Sequence, residues 1–102
     1  MNEKEFLRQL KTKILQEDES AFLILYGSRA RGDAKQDSDW DLLVVTSKKR
    51  DVAFENKLRD SIYEVELEYL QPVSAIILNK KEWQNMKITP FYYNVTKEGL
   101  KI

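Results

Sequence analysis

Apolar residues fall into two kinds of pattern along this chain. Phe6/Leu7, Leu10 and Ile14 recur every three or four positions until the acidic stretch Glu17-Asp18-Glu19, the spacing of one helix face. Asn2, with Glu5 three residues later, reads as the capping box of that helix. Ala21 to Tyr26 is instead an unbroken apolar run between Ser20 and Gly27, too short to stand alone as a helix and suited to a buried strand. Trp40 to Thr46 is a second such run and Val73 to Leu78 a third. Between the last two, Phe54, Leu58, Ile62, Val65 and Tyr69 mark one face of a long helix, capped by Asp51 and ended before Pro72. Asn79 with Glu82 caps a short helix carrying Trp83 and Met86, and Thr89, Pro90 and Gly99 bracket one more.

The predicted order is helix, strand, helical turn, strand, long helix, strand and two short helices. A long helix between the second and third strands makes them parallel neighbours through a right-handed crossover. The fold class expected is α+β in two layers, a small mixed sheet with helices mainly on one face and the other face open for a site. With 102 residues and no repeat, linker or low-complexity stretch, residues 1–102 read as one domain. Trp40, Trp83 and most of the tail aromatics read as core, while Phe91, Tyr92 and Tyr93 suit an interface as readily.

Composition narrows the chemistry. Seventeen basic and seventeen acidic residues cancel, and the longest block of one sign is Lys48-Lys49-Arg50, so bulk charge does not imply nucleic-acid binding. Without cysteine or histidine there are no disulfides, thiolate metal sites, cysteine nucleophiles or imidazole bases. Carboxylates, hydroxyls, lysines, arginines or an oxygen-held metal must do any chemistry. The polar start Met1-Asn2-Glu3-Lys4-Glu5 is not a signal peptide, and no apolar run approaches the ~20 residues of a membrane span; a cytoplasmic protein is expected.

One stretch, LYGSRARGDAKQDSDWDLLVV from Leu25 to Val45, departs from what packing alone requires. Its second strand opens on Asp39 and Asp41, which alternation places on one face, opposite Trp40 and Leu42. Like charges that close raise one another's pKa unless a cation neutralises them, and a hard divalent ion suits oxygen-only ligands. Upstream, Gly27 lets the backbone approach a ligand, Ser28 adds a hydroxyl, and Ser28-Arg29-Ala30-Arg31 opens a helical turn whose free N–H groups favour phosphate. Arg29 or Arg31 can meet phosphate oxygens as a fork. A phosphate cradle ending one strand and a metal pair starting the next describe a site for a nucleoside triphosphate with magnesium.

The local patterns have other readings. A Gly-Ser turn or an Asp-x-Asp alone is usually only a turn or cap. Asp37-Ser38-Asp39-Trp40-Asp41 imitates the start of a calcium loop, but Leu42 stands where glycine should follow and Lys48 where glutamate should close it. Arg31-Gly32-Asp33 copies an adhesion tripeptide by chance.

GSRARGDAKQDSDWDLLVV resembles the signature of the minimal nucleotidyltransferases of the DNA polymerase β-like superfamily: Gly-Ser, a spacer, then Asp-x-Asp and apolar residues. The element order agrees over roughly the first 78 residues, and the tail with KKEW and TPFYYNVTKEG is similar to that of short bacterial members. The resemblance implies the nucleotidyltransferase fold, with Gly27 and Ser28 holding the triphosphate, Asp39 and Asp41 holding two Mg2+ ions, and Arg29 and Arg31 contacting phosphate. It implies transfer of a nucleoside monophosphate, AMP from ATP, onto a hydroxyl of a protein or small molecule. The expected partner is a small all-helical HEPN-type toxin, for which such proteins serve as antitoxins.

Active members of that family carry a third carboxylate on the strand after the long helix, and Val73-Ser74-Ala75-Ile76-Ile77-Leu78 has none. Glu66 and Glu68 lie just before it, and Glu68 reaches the metals only if the strand begins earlier than the apolar run; solvated positions on an acidic helix face are the plainer reading. A chain without that carboxylate also fits a nucleotide-binding module that sequesters its partner. A nucleotide-sugar glycosyltransferase would use Asp-x-Asp similarly but needs a larger domain.

Overall fold

The computed structural model describes residues 1–49 and 51–102; Arg50, the end of the basic triplet, lies outside them. Helix α1 (Glu3–Glu17) starts where the Asn2 side chain accepts the Glu5 N–H. The reciprocal half of that capping box is not made, because the Glu5 carboxylate pairs with Arg8 and accepts from Gln9. Strand β1 (Phe22–Tyr26) leads directly into the short helix α2 (Gly27–Arg31), and β2 (Trp40–Thr46) follows. Asp51 caps α3 (Val52–Tyr69) through the Phe54 N–H. Leu70, in the left-handed conformation, ends that helix before Pro72.

Strand β3 (Val73–Asn79) runs into α4 (Lys80–Asn85), whose capping box between Asn79 and Glu82 is complete, and α5 (Pro90–Glu98) begins at the Thr89 cap. A two-residue strand β4 (Leu100–Lys101), which apolar patterning does not signal, closes the chain. Among the described residues the strands form one sheet in the order β3-β2-β1-β4. β2 and β3 are parallel, as the long crossover helix requires; β1 pairs antiparallel with both β2 and β4.

Two apolar clusters hold the sheet from opposite sides. Phe6, Leu10 and Ile14 of α1 and Leu58, Ile62 and Val65 of α3 pack on Leu23, Leu25, Trp40, Leu42, Val44 and Ile77. On the other face Trp83 of α4 and Val95 of α5 pack on Leu43 and Val45, joined by Phe22, Ile24, Tyr26, Phe91 and Tyr92. The two long helices lie on one face, as expected; what the structure corrects is the expectation that the second face is open, because the short α4 and α5 cover part of it. Leu42, Leu43, Val44 and Val45 are all fully buried, and an unbroken apolar strand is the mark of a sheet covered on both sides. Cover is thinner at the end of the second face around Asp41, which is half-buried, and Ser74, which is exposed, with Tyr26 beside them packed on Phe91 of α5. Among the described residues, no helix is long and apolar enough to cross a membrane.

A polar latch ties the far end of the sheet to the end of α1. Asp18, 2% exposed, accepts the Ser20 N–H at 3.0 Å, the Ser20 hydroxyl at 2.6 Å and the Thr46 hydroxyl. Burial pushes its carboxyl up, but these donors and the Lys48 charge together outweigh burial and hold it below the ordinary range.

Candidate active site

The open end of the second face carries the row Tyr26, Asp41 and Ser74, one residue from each of β1, β2 and β3 in register. Residues in register across a sheet share a face, so Asp41 points away from the α1/α3 core and towards the side of α4 and α5. Asp39, just before β2, joins the row: the Ser74 hydroxyl donates to its Oδ2 at 2.8 Å. The two aspartates therefore stand together, as alternation along the strand predicts. Burial, and after it the charge of Asp39, push the Asp41 carboxyl above its ordinary value, with Arg31 pulling the other way. Burial and Asp41 likewise raise the Tyr26 hydroxyl.

Gly27 fits against this pair. Its φ of +71° lies in the left-handed region, and a Cβ built there would overlap Asp41 Oδ2. Glycine is required twice, by the backbone turn from β1 into α2 and by the carboxylate beside it. Ser28 follows in the same turn, its carbonyl accepting the Gly32 and Asp33 N–H groups, so the residues expected to meet phosphate and those expected to meet metal are neighbours.

The arginines divide. Arg29 Nη2 donates to the Gln36 and Ser38 carbonyls at 3.2 and 2.9 Å, and its guanidinium stacks 4.5 Å from the Trp40 ring centre. Its Nε is buried without a partner among the described residues. Arg29 thus straps the loop leading to Asp39 onto α2 through one of its nitrogens. Arg31 pairs with Asp33 and Glu98, both at 3.2 Å, while still acting on Asp41. Gly32, at φ +83°, merely ends α2.

Neither glutamate before β3 joins the site. The strand begins at Val73, so Glu68 lies in the last turn of α3, exposed to solvent, on a helix that packs against the opposite face; the condition on which it could reach the aspartates is not met. Glu66 accepts the Val73 N–H at 3.2 Å and holds the outer edge of β3. The β3 side chains that share the face of Asp41 are Ser74, Ile76 and Leu78, by the register Asp41–Ser74, Leu43–Ile76 and Val45–Leu78. Ser74 was not singled out from sequence: a serine in an apolar run is unremarkable until the strands are placed in register.

Among the described residues no three His, Cys, Asp or Glu side chains converge to hold a metal; the side chains here that could offer carboxylates to a cation are Asp39 and Asp41. That donor set fits magnesium, which is typically held by one or two carboxylates together with substrate phosphates and water.

This fold and site are those of a nucleotidyl-transferring enzyme. The nucleotidyltransferase domain family matches residues 7–101, and the chain belongs to that family. A Methanocaldococcus jannaschii protein named as a candidate protein adenylyltransferase is 38% identical over 97 residues, covering 94% of this chain and 89% of that protein. A second from the same organism, named likewise, is 35% identical over 100 residues, covering 96% of this chain and 66% of that longer protein. Among solved structures, a toxin–antitoxin crystallised with AMP-PNP superposes with a TM-score of 0.58 at 16% identity, over 90% of this chain and 68% of that one.

Proposed function

We propose that this chain transfers AMP from ATP to a hydroxyl of a protein partner in the cytoplasm, with magnesium at Asp39 and Asp41. The observation that carries the proposal is the contact of Gly27 with Asp41, which puts a close-approach turn beside two neighbouring carboxylates, Asp41 and Asp39. The relatives named for protein adenylylation support the reaction class. The partner class, a small HEPN-type toxin, rests on the signature from Leu25 to Val45 and on the toxin–antitoxin neighbour.

In this reading the Gly27 backbone and the Ser28 hydroxyl hold the triphosphate, and Arg31 adds positive charge at the rim. Asp39 and Asp41 are the residues that would hold magnesium beside the triphosphate. When bound, magnesium would offset negative charge on the phosphates as it builds. The acceptor oxygen attacks the α-phosphorus in line; a P–O ester bond forms as the bond to the β-phosphate bridging oxygen breaks, pyrophosphate leaves, and the acceptor proton passes to water. Positioning and charge neutralisation supply most of the acceleration in such transfers.

Ser74, a hydroxyl and not a carboxylate on β3 beside the pair, favours a second reading: a nucleotide-binding module that neutralises its partner by sequestration. The two are separated by incubating the protein with ATP, Mg2+ and a cognate HEPN-type partner and recording intact mass. Transfer predicts an AMP adduct on the partner that disappears with Asp39→Ala/Asp41→Ala. Sequestration predicts no adduct, with the double variant still binding.

A further inference from the structure

Asp39 is exposed and precedes the first paired residue of β2, so the sheet ladder does not orient it. A free aspartate in that position samples several rotamers and must be ordered before it can ligate. Among the described residues its hydrogen-bond partner is Ser74, across the parallel β2/β3 pair, at 2.8 Å. An ionised carboxylate only accepts, so the serine proton is the one shared. That bond occupies one lone-pair direction of Oδ2; among the described residues no hydrogen bond falls on Oδ1. Ser74 itself is held by its register with Asp41, so one strand pair sets both carboxylates at once.

We propose that Ser74 is a positioning residue for the cation site: through its hydroxyl it fixes Asp39 in the orientation from which, with Asp41, it binds a divalent ion. The inference rests on the nucleotidyltransferase reading of the pair and adds a residue to it. Partners that orient ligating side chains change metal affinity by about 10–100-fold when removed. The hydroxyl is neutral and sits on the outermost strand, so its loss leaves the core untouched.

The test is Mn2+ binding to the full chain with AMP-PNP, followed by electron paramagnetic resonance and calorimetry, for wild type, Ser74→Ala, Ser74→Thr and Asp39→Ala/Asp41→Ala, with thermal melts to confirm folding. Ser74→Ala is expected to weaken Mn2+ binding about 10-fold and Ser74→Thr, which keeps the hydroxyl, to restore it. In any transfer assay Ser74→Ala raises the metal concentration for half-maximal rate while the rate at saturating metal stays near wild type. Wild-type Mn2+ affinity in Ser74→Ala, with binding lost in the double aspartate variant, overturns the role of Ser74 and leaves the site reading standing. If the double aspartate variant binds as wild type does, both fall.

Discussion

Gly27 and Asp41 share a space that admits only one side-chain atom set: the carboxylate of Asp41 lies where a Cβ on residue 27 would be. Gly27→Ala therefore forces the carboxylate aside and also places a side chain at φ +71°. The backbone part costs about 1–2 kcal/mol, and the displaced carboxylate removes nucleotide binding. In the Asp41→Ala background the same change should cost only the backbone part, so urea denaturation of the four proteins should show the double variant losing less stability than the sum of the two single ones. Additive costs would show that the overlap is relieved without moving Asp41.

Arg29 is committed to the Gln36 and Ser38 carbonyls and the Trp40 ring. Arg29→Lys keeps the charge but loses the planar group that stacks on Trp40 while Nη2 meets both carbonyls, and we expect it to lower stability by about 1–2 kcal/mol. ATP affinity, measured calorimetrically at saturating Mg2+, should change little. A large loss of ATP affinity without loss of stability would mark Arg29 as a phosphate contact rather than a strap. Arg31→Ala, which removes positive charge beside Asp41, should do the reverse: weaker ATP binding with little change in melting.

Asp18 titrates below the ordinary carboxylate range, so its contribution to stability is present above the unfolded value, about 4, and is lost as pH falls through the folded one. Asp18→Asn keeps the shape but not the charge that the Ser20 and Thr46 donors favour. Wild type should exceed this variant by about 1–3 kcal/mol at pH 7, with the gap closing in denaturant titrations carried out progressively below pH 4. A gap independent of pH would mean that the latch works by packing and neutral hydrogen bonds alone.

The secondary structure was legible because each signal is local. The caps at Asn2, Asp51, Asn79 and Thr89 all form, and Trp40–Thr46 is the strand its apolar run predicts. The same run also held a message that element counting passed over: residues 42–45 are apolar without alternation, which calls for cover on both faces, and α4 and α5 provide it. Strand β4 carries no pattern of its own and pairs with Ile24 and Leu25 only because α5 delivers it there.

The chemistry divides along the same line. Sequence by itself determined that two aspartates on one face follow a Gly-Ser turn, because alternation and turn propensity act over a few residues. It could not say which way Arg29 turns, where Glu66 and Glu68 end, or that Ser74 meets Asp39. Those depend on the register of β2 against β3, residues more than thirty apart in the chain, and register is decided by the packing of α3 and the core beneath it rather than by any local propensity.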